Sequence, residues 1–323
     1  MSGNLLSLLA VMVFFAIPSV VIWSYLAFGV VLAIGLVTIV IRGDWQKAQG
    51  WDKLILFGPL FYAAPLAAFG TEHFTLTKAV ASIVPSWIPW HLFWVYLVGA
   101  CFLAAALSLV TKIQARLAAS LLGLTFFLFV VLMDAPGWAH NLRDQFGLTL
   151  MLRELSFSGG ALALAASLAG EGRAPGKHVL ATIARYFVAI PLLFYSFEQF
   201  MHPDHLPAVP LEPLTPQWIF GHTIWPYLAA LVYAVAGILL LVGKKTRASA
   251  ALVGLTVLFV ELVVYLPIAV VERASLERGL NYMADTLMYC GAILLLAGAM
   301  PRATERGKSS ADEWSRETRA CPS

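Results

Sequence analysis

The chain has 323 residues, of which 60% are apolar and 12% charged, with a mean hydropathy of +0.81. A water-soluble fold of this size has too little interior to hide that much apolar surface, so the composition places the chain in a membrane. A net charge of +3 without a basic cluster or nucleic-acid motif excludes a nucleic-acid partner.

Residues 4–41 are nearly uncharged and, as one helix, would be about 57 Å long, too long for a single crossing of a hydrocarbon layer about 30 Å thick. Pro18-Ser19 offers a break, which predicts a tight pair, 4–20 and 22–41, forming an N-terminal unit over 1–42, with a single kinked helix as the alternative. The stretch has neither the basic start nor the small-residue cleavage site of a secretory leader. Eight further apolar runs follow: 53–71, 91–111, 116–134, 147–169, 179–200, 224–243, 247–270 and 279–300. The expected fold is therefore all-α and polytopic, with about ten transmembrane helices. A charged segment, 301–323, reads as a disordered tail.

Segments 42–53, 111–116, 170–178, 244–247 and the tail from 301 hold fifteen of the 21 Lys and Arg, and the alternate segments hold four. Basic residues collect on the cytoplasmic side, so both termini are expected in the cytoplasm and the alternate loops outside. Of the three cysteines, Cys101 and Cys290 fall within apolar runs and Cys321 in the tail, with no pair spaced for a dithiol or a metal cluster.

Part of the chain occurs twice. At an offset of 131, Pro85, Trp87, Ile88 and His91 meet Pro216, Trp218, Ile219 and His222; Arg116 meets Arg247, Gly123 meets Gly254, Pro136 meets Pro267, and Glu154 meets Asp285. At an offset of 126, Pro65 and Glu72 meet Pro191 and Glu198. These residues predict two four-helix modules, 53–169 and 179–300, joined by 170–178. Four crossings return the chain to its starting side, so the modules would be related by an axis along the membrane normal.

Gly70-Thr71-Glu72-His73-Phe74 at the end of one run, the small residues Gly99, Ala100, Ala104, Ala105 and Ala106 in the next, and the basic turns Lys112–Arg116 and Lys244–Arg247 resemble the DoxX-like family of small bacterial membrane proteins. The resemblance covers most of 53–300 and implies a tandem duplication of a four-helix module in the bacterial cytoplasmic membrane. It also implies a subunit or accessory role in quinone-linked redox or in maturation of periplasmic enzymes, with membrane or periplasmic protein partners. Segments 97–107 and 228–238 contain no acid where single-module members carry a second-helix Glu.

Glu72, His91 and Glu154 in one half, and Glu198, His222 and Asp285 in the other, are expected at similar depth on the outer side. Ionisable groups in a bilayer face a bundle interior, a partner or water, and mark ligand or ion pathways. The six are therefore candidates for an outward-facing site that binds or moves a small solute or ion; a polar network that fixes helix packing is the structural alternative. Arg153 is expected to reach Glu72 or Asp134. Glu261, near the middle of its run, is a seventh candidate, with Arg185, Asn281 or Tyr265 as its expected partner. No catalytic motif is present, which argues against an enzyme.

No cofactor is assigned. Glu198, His202, Asp204, His205 and His222 have the residue types of a metal site, but the proline-rich spacing is untidy for a closed zinc site. His91 with His222 has the composition of an axial haem pair, and Trp87, Trp90, Trp94, Trp218 and Trp225 read as an interfacial aromatic belt or as stacking surface for a quinone.

Overall fold

A computed structural model describes residues 18–169, 174–210 and 214–302. The first helix expected in the N-terminal pair and the tail from 303 lie outside the described residues. These contain nine helices long and apolar enough to cross a membrane: α1 (Ser19–Ile41), α2 (Gly58–Thr75), α3 (His91–Thr111), α4 (Ala115–His140), α5 (Gln145–Ser167), α6 (Ala174–Met201), α7 (Ile224–Leu241), α8 (Thr246–Val271) and α9 (Leu276–Ala299). The protein is an all-α polytopic membrane protein.

The helices end where the chain loses its side-chain or backbone options. Pro18 precedes α1 and leaves no N–H to satisfy. Residues with positive φ, Lys112, Gln114 and Lys245, make the tight turns into α4 and α8. Pro65 and Pro191 sit inside α2 and α6.

Several expected boundaries move. α4 continues past Asp134 to His140, because Val130–Asp134 widens into a π-turn that accommodates Pro136, which would otherwise clash with the carbonyl one turn back. α8 does the same: the π-turn Glu261–Tyr265 precedes Pro267. The two π-turns lie 131 residues apart. α9 starts early, at Leu276, with a third π-turn ending at Asn281, and α6 starts at Ala174, inside the expected connector.

α9 is the central helix. Within its apolar stretch 83% of residues are buried, against 22% in α1, and it packs on α2, α5 and α8. α5 packs on α4, α6 and α9. The last helix of each expected module thus lies against the first helix of the other, α5 on α6 and α9 on α2. Small residues allow it. A Cβ on Gly160 would stand 2.4 Å from the Ala292 Cα, one on Gly291 2.4 Å from the Tyr62 nitrogen, and one on Gly159 2.9 Å from the Ala184 oxygen. In lipid, where apolar side chains gain little by leaving the solvent, such close backbone packing is a main source of helix association.

The two ends of the bundle differ in charge. At one end Lys112 pairs with Asp44 at 2.5 Å, and Asp52 holds both Arg247 and Arg302. The other end carries the turns before α3 and α7. The Pro85–His91 and Pro216–His222 segments form turns, not the short helices that such surface segments often adopt; Ile88 N donates to Pro85 O at 3.0 Å and Ile219 N to Pro216 O at 2.9 Å. Trp94 Nε1 donates to Pro89 O and Trp225 Nε1 to Phe220 O, closing the two turns in the same way.

Gly160→Val should lower thermal stability in detergent by about 1–3 kcal/mol or prevent assembly, since the added branched carbons meet backbone. Gly29→Ala, with nothing within 4 Å of the added carbon, should change stability by no more than about 0.5 kcal/mol.

Candidate functional site

The α5–α9 crossing creates the site. Arg153 lies seven residues before Gly160 and Asp285 seven before Ala292. Seven residues make about two helical turns, so each side chain stands on the face that carries the crossing. The Arg153 Nη1 accordingly donates to Asp285 Oδ2 at 2.6 Å. Its Nη2 lies 3.7 Å from Glu154 Oε1; a long guanidinium bridges the angle that separates sequence neighbours on a helix. Of the expected Arg153 partners, Asp134 lies near enough to interact electrostatically, whereas Glu72 does not meet it; the direct partner is Asp285, which the crossing brings closer.

Two further acids extend this pair. The Asp134 carboxyl, at the end of the π-turn in α4, faces that of Glu154. Asn281 precedes Asp285 by one turn on α9, and its Nδ2 donates to Glu72 Oε2 at 3.3 Å. A polar chain Glu72–Asn281–Asp285–Arg153–Glu154–Asp134 thus crosses α2, α9, α5 and α4. Glu72 lies near the loop end, and Asp285 and Arg153 about 12–14 Å inside their helix starts at 1.5 Å per residue. Tyr195 of α6 lies near Arg153 and Asp285 and anchors α6 by donating to Thr149 O at 2.8 Å.

The chain is under-satisfied. Glu72 Oε1, Asp134 Oδ2, Glu154 Oε2, Arg153 Nε and Asn281 Oδ1 are buried without a hydrogen-bond partner among the described residues. Three carboxyls, of Asp285, Glu154 and Asp134, surround one guanidinium, and two of them face each other. Two acceptors satisfy one another only with a proton or a cation between them, and surplus negative charge in a low-dielectric site must be balanced in the same way.

The other expected site residues lie outside this chain. His91 and His222 are half-buried at the starts of α3 and α7 and make no side-chain hydrogen bond or ion pair among the described residues. α3 packs on α1, α2 and α4, whereas α7 packs on α6 and α8, so the two histidines start from helices with different neighbours. Glu198 is buried and likewise has no side-chain hydrogen bond or ion pair among the described residues. Glu261 is buried at the head of its π-turn, and its Oε2 has no partner among the described residues. None of its three expected partners serves: Arg185 donates to Leu240 O, Asn281 to Glu72, and Tyr265 to Pro207 O.

The loop after α6 turns back into the bundle. Leu206, Ala208 and Val209 are at most 2% exposed. Gln199 Oε1 accepts from Ala208 N at 2.9 Å, and Tyr265 donates to Pro207 O at 2.7 Å. Ala208 has φ +75°, a conformation that costs a non-glycine residue energy. The apolar Leu206–Pro210 run inside a loop is the sequence signal for this re-entrant stretch, whereas no pattern in the sequence singles out Gln199. Just before it, one ligand atom each from His202, Asp204 and His205 lie within 4.8 Å of one another.

No family model, curated protein or solved structure matches the chain.

Arg153→Gln should lower stability by about 3–5 kcal/mol, because it strands buried carboxyls. Adding Asp285→Asn should recover part of that loss, measured as a double-mutant cycle of thermal unfolding in detergent.

Proposed function

We propose that the protein takes up a small cation, the proton first among them, from the outer side of a bacterial cytoplasmic membrane and passes it along the Glu72-to-Asp134 chain. The observation that carries this reading is the surplus of buried carboxyls around Arg153, with oxygens that lack donors among the described residues. Glu72 is the entry group by its position near the loop end; Asn281 orients it; Arg153 holds Asp285 and Glu154; and Asp134 with Glu154 forms the carrier pair at the far end of the chain. The positive-inside rule supports the orientation, since Lys112, Arg247 and Arg302 share the end opposite the chain's entry.

The chain is read further as a tandem pair of DoxX-like four-helix modules. Support comes from the two π-turns 131 residues apart, the matched Trp94 and Trp225 bonds, and reciprocal packing: Gly159 against Val188 and Gly291 against Tyr62. In the fourth helices the offset becomes 132, as the π-turn opening α9 absorbs one extra residue. Ser158 Oγ donates to Gly123 O, and Cys290 Sγ to Gly254 O. On that register Arg153, not Glu154, is the counterpart of Asp285, and Gly160 that of Ala292. The ion pair and the crossing both straddle the two-fold axis, so one position became a base and its twin an acid.

Proteoliposomes with a trapped pH dye, driven by a valinomycin potassium potential, test the transfer. The wild type should acidify or alkalise the lumen faster than empty vesicles, and Glu72→Gln and Glu154→Gln should each slow it on the order of 10-fold or more, the scale of a lost proton-transfer group. Flux equal to empty vesicles, or unchanged in both variants, overturns the reading.

A further inference from the structure

The His202-Pro203-Asp204-His205 turn lies apart from the carboxylate chain. We propose that His202, Asp204 and His205 form an open three-ligand site for a divalent transition-metal ion, zinc being the ion the donor set fits best. Two imidazoles with one carboxylate are a donor set typical of zinc and related borderline ions, and three protein ligands leave a position for water or a substrate atom.

Several features of the turn prepare it for this. The ligand atoms already converge within 4.8 Å. Ligands held about 2.0–2.2 Å from a tetrahedral ion stand about 3.3–3.6 Å apart, so closure needs shifts of about 1 Å. The two imidazole rings are nearly parallel, 14° between planes, with centroids 5.0 Å apart.

The backbone that carries them is fixed at every ligand. His202 N donates to Glu198 O at 2.8 Å as the last bond of α6, His205 N donates to His202 O at 3.1 Å, and Thr215 N donates to Asp204 O at 2.8 Å. Thr215 Oγ1 donates to His205 O at 2.9 Å, and His205 forms a bridge with Leu214. Pro203 fixes φ between the first two ligands, and buried Leu206, next in sequence to His205, anchors the turn to the bundle. The three ligating side chains make no hydrogen bond or ion pair among the described residues, so an arriving ion has no such bond to displace there. A turn that only capped α6 would need its backbone bonds, not three convergent donors. Pro203, which made the spacing untidy in sequence, ends the helix and thereby folds Asp204 and His205 back towards His202.

The site accounts for the position of the turn as well. It leads directly into the re-entrant Leu206–Pro210 stretch, so a bound ion would tie the end of α6 to that stretch.

The test uses the full chain in mild detergent, purified without a polyhistidine tag and stripped with a chelator. Titration with zinc chloride by calorimetry should give one ion per chain with micromolar or tighter affinity. Cobalt(II) should give a visible d–d band of tetrahedral intensity. His202→Gln with His205→Gln should weaken zinc binding on the order of 100-fold or more, and Asp204→Asn on the order of 10-fold, with retention volume and circular dichroism unchanged. His91→Gln with His222→Gln should bind as the wild type does. No binding by the wild type at about 0.1 mM zinc, a Kd that corresponds to about −5.5 kcal/mol, overturns the proposal. So does equal binding by the double-histidine variant. Should that variant misfold, Asp204→Asn decides on its own, since its side chain is exposed: weakened binding upholds the site and unchanged binding overturns it.

Discussion

The structure depends on one close approach, the crossing of α5 and α9 at Gly160 and Ala292. A bilayer gives apolar side chains no reason to prefer a helix over lipid, so contact must come from packing that lipid cannot match. Glycine and alanine supply it by letting two backbones touch. That contact also decides the electrostatics. Two turns along, on the same faces, it delivers Arg153 to Asp285 at 2.6 Å, deep enough that neither charge is tolerated without the other. Breaking the crossing and breaking the ion pair are two ways of undoing the same interface.

The second organising constraint is that backbone polar groups in lipid must be satisfied within the protein. Pro136 and Pro267 would each break a helix that has to continue; the π-turns before them keep both helices running, and place Asp134 at the end of one and Glu261 at the start of the other. The re-entrant Leu206–Pro210 stretch obeys the same rule. Its backbone lies in the bundle because Gln199 and Tyr265 supply an acceptor and a donor to it. Ionisable or polar side chains and backbone irregularities therefore coincide: Asp134, Glu261, Asn281 and the histidine turn all stand at places where regular α-helix stops.

The polar chain and the histidine turn are chemically different. The first is rich in hard carboxylate oxygens, crosses four helices and has more acceptors than its Arg153 and Asn281 donors satisfy. The second offers two imidazoles and a single carboxylate on one fixed turn. Hard, acceptor-rich surroundings suit protons and small hard cations, whereas mixed nitrogen and oxygen donors suit borderline transition metals. Two sites with such different preferences need not share a ligand.

The fold class was legible in the residues themselves, because hydropathy, run length and basic asymmetry are local properties, and eight of the expected runs reappear as helices α2 to α9. That Glu72, Glu154 and Asp285 turn towards polar company was also legible, since an acid in an apolar run is costly otherwise. What the sequence could not decide was partnership. Whether Arg153 meets Asp285 or Glu72 depends on where two helices cross, and that is set by Gly160 and Ala292 against the whole bundle. The proposed repeat register, with an offset of 132 in the fourth helices, pairs Asp285 with Arg153 in place of Glu154; one position on a helix rotates a side chain by about 100°. The same holds for the histidines. His91 and His222 looked alike in sequence yet rise from helices with different neighbours, while His202, Asp204 and His205, separated by an untidy proline, converge because that proline ends the helix. Sequence by itself determined which segments enter the membrane and which residues are costly there; only the tertiary structure decided which of those residues meet, because helix crossings and backbone turns are properties of the packed bundle and not of any one segment.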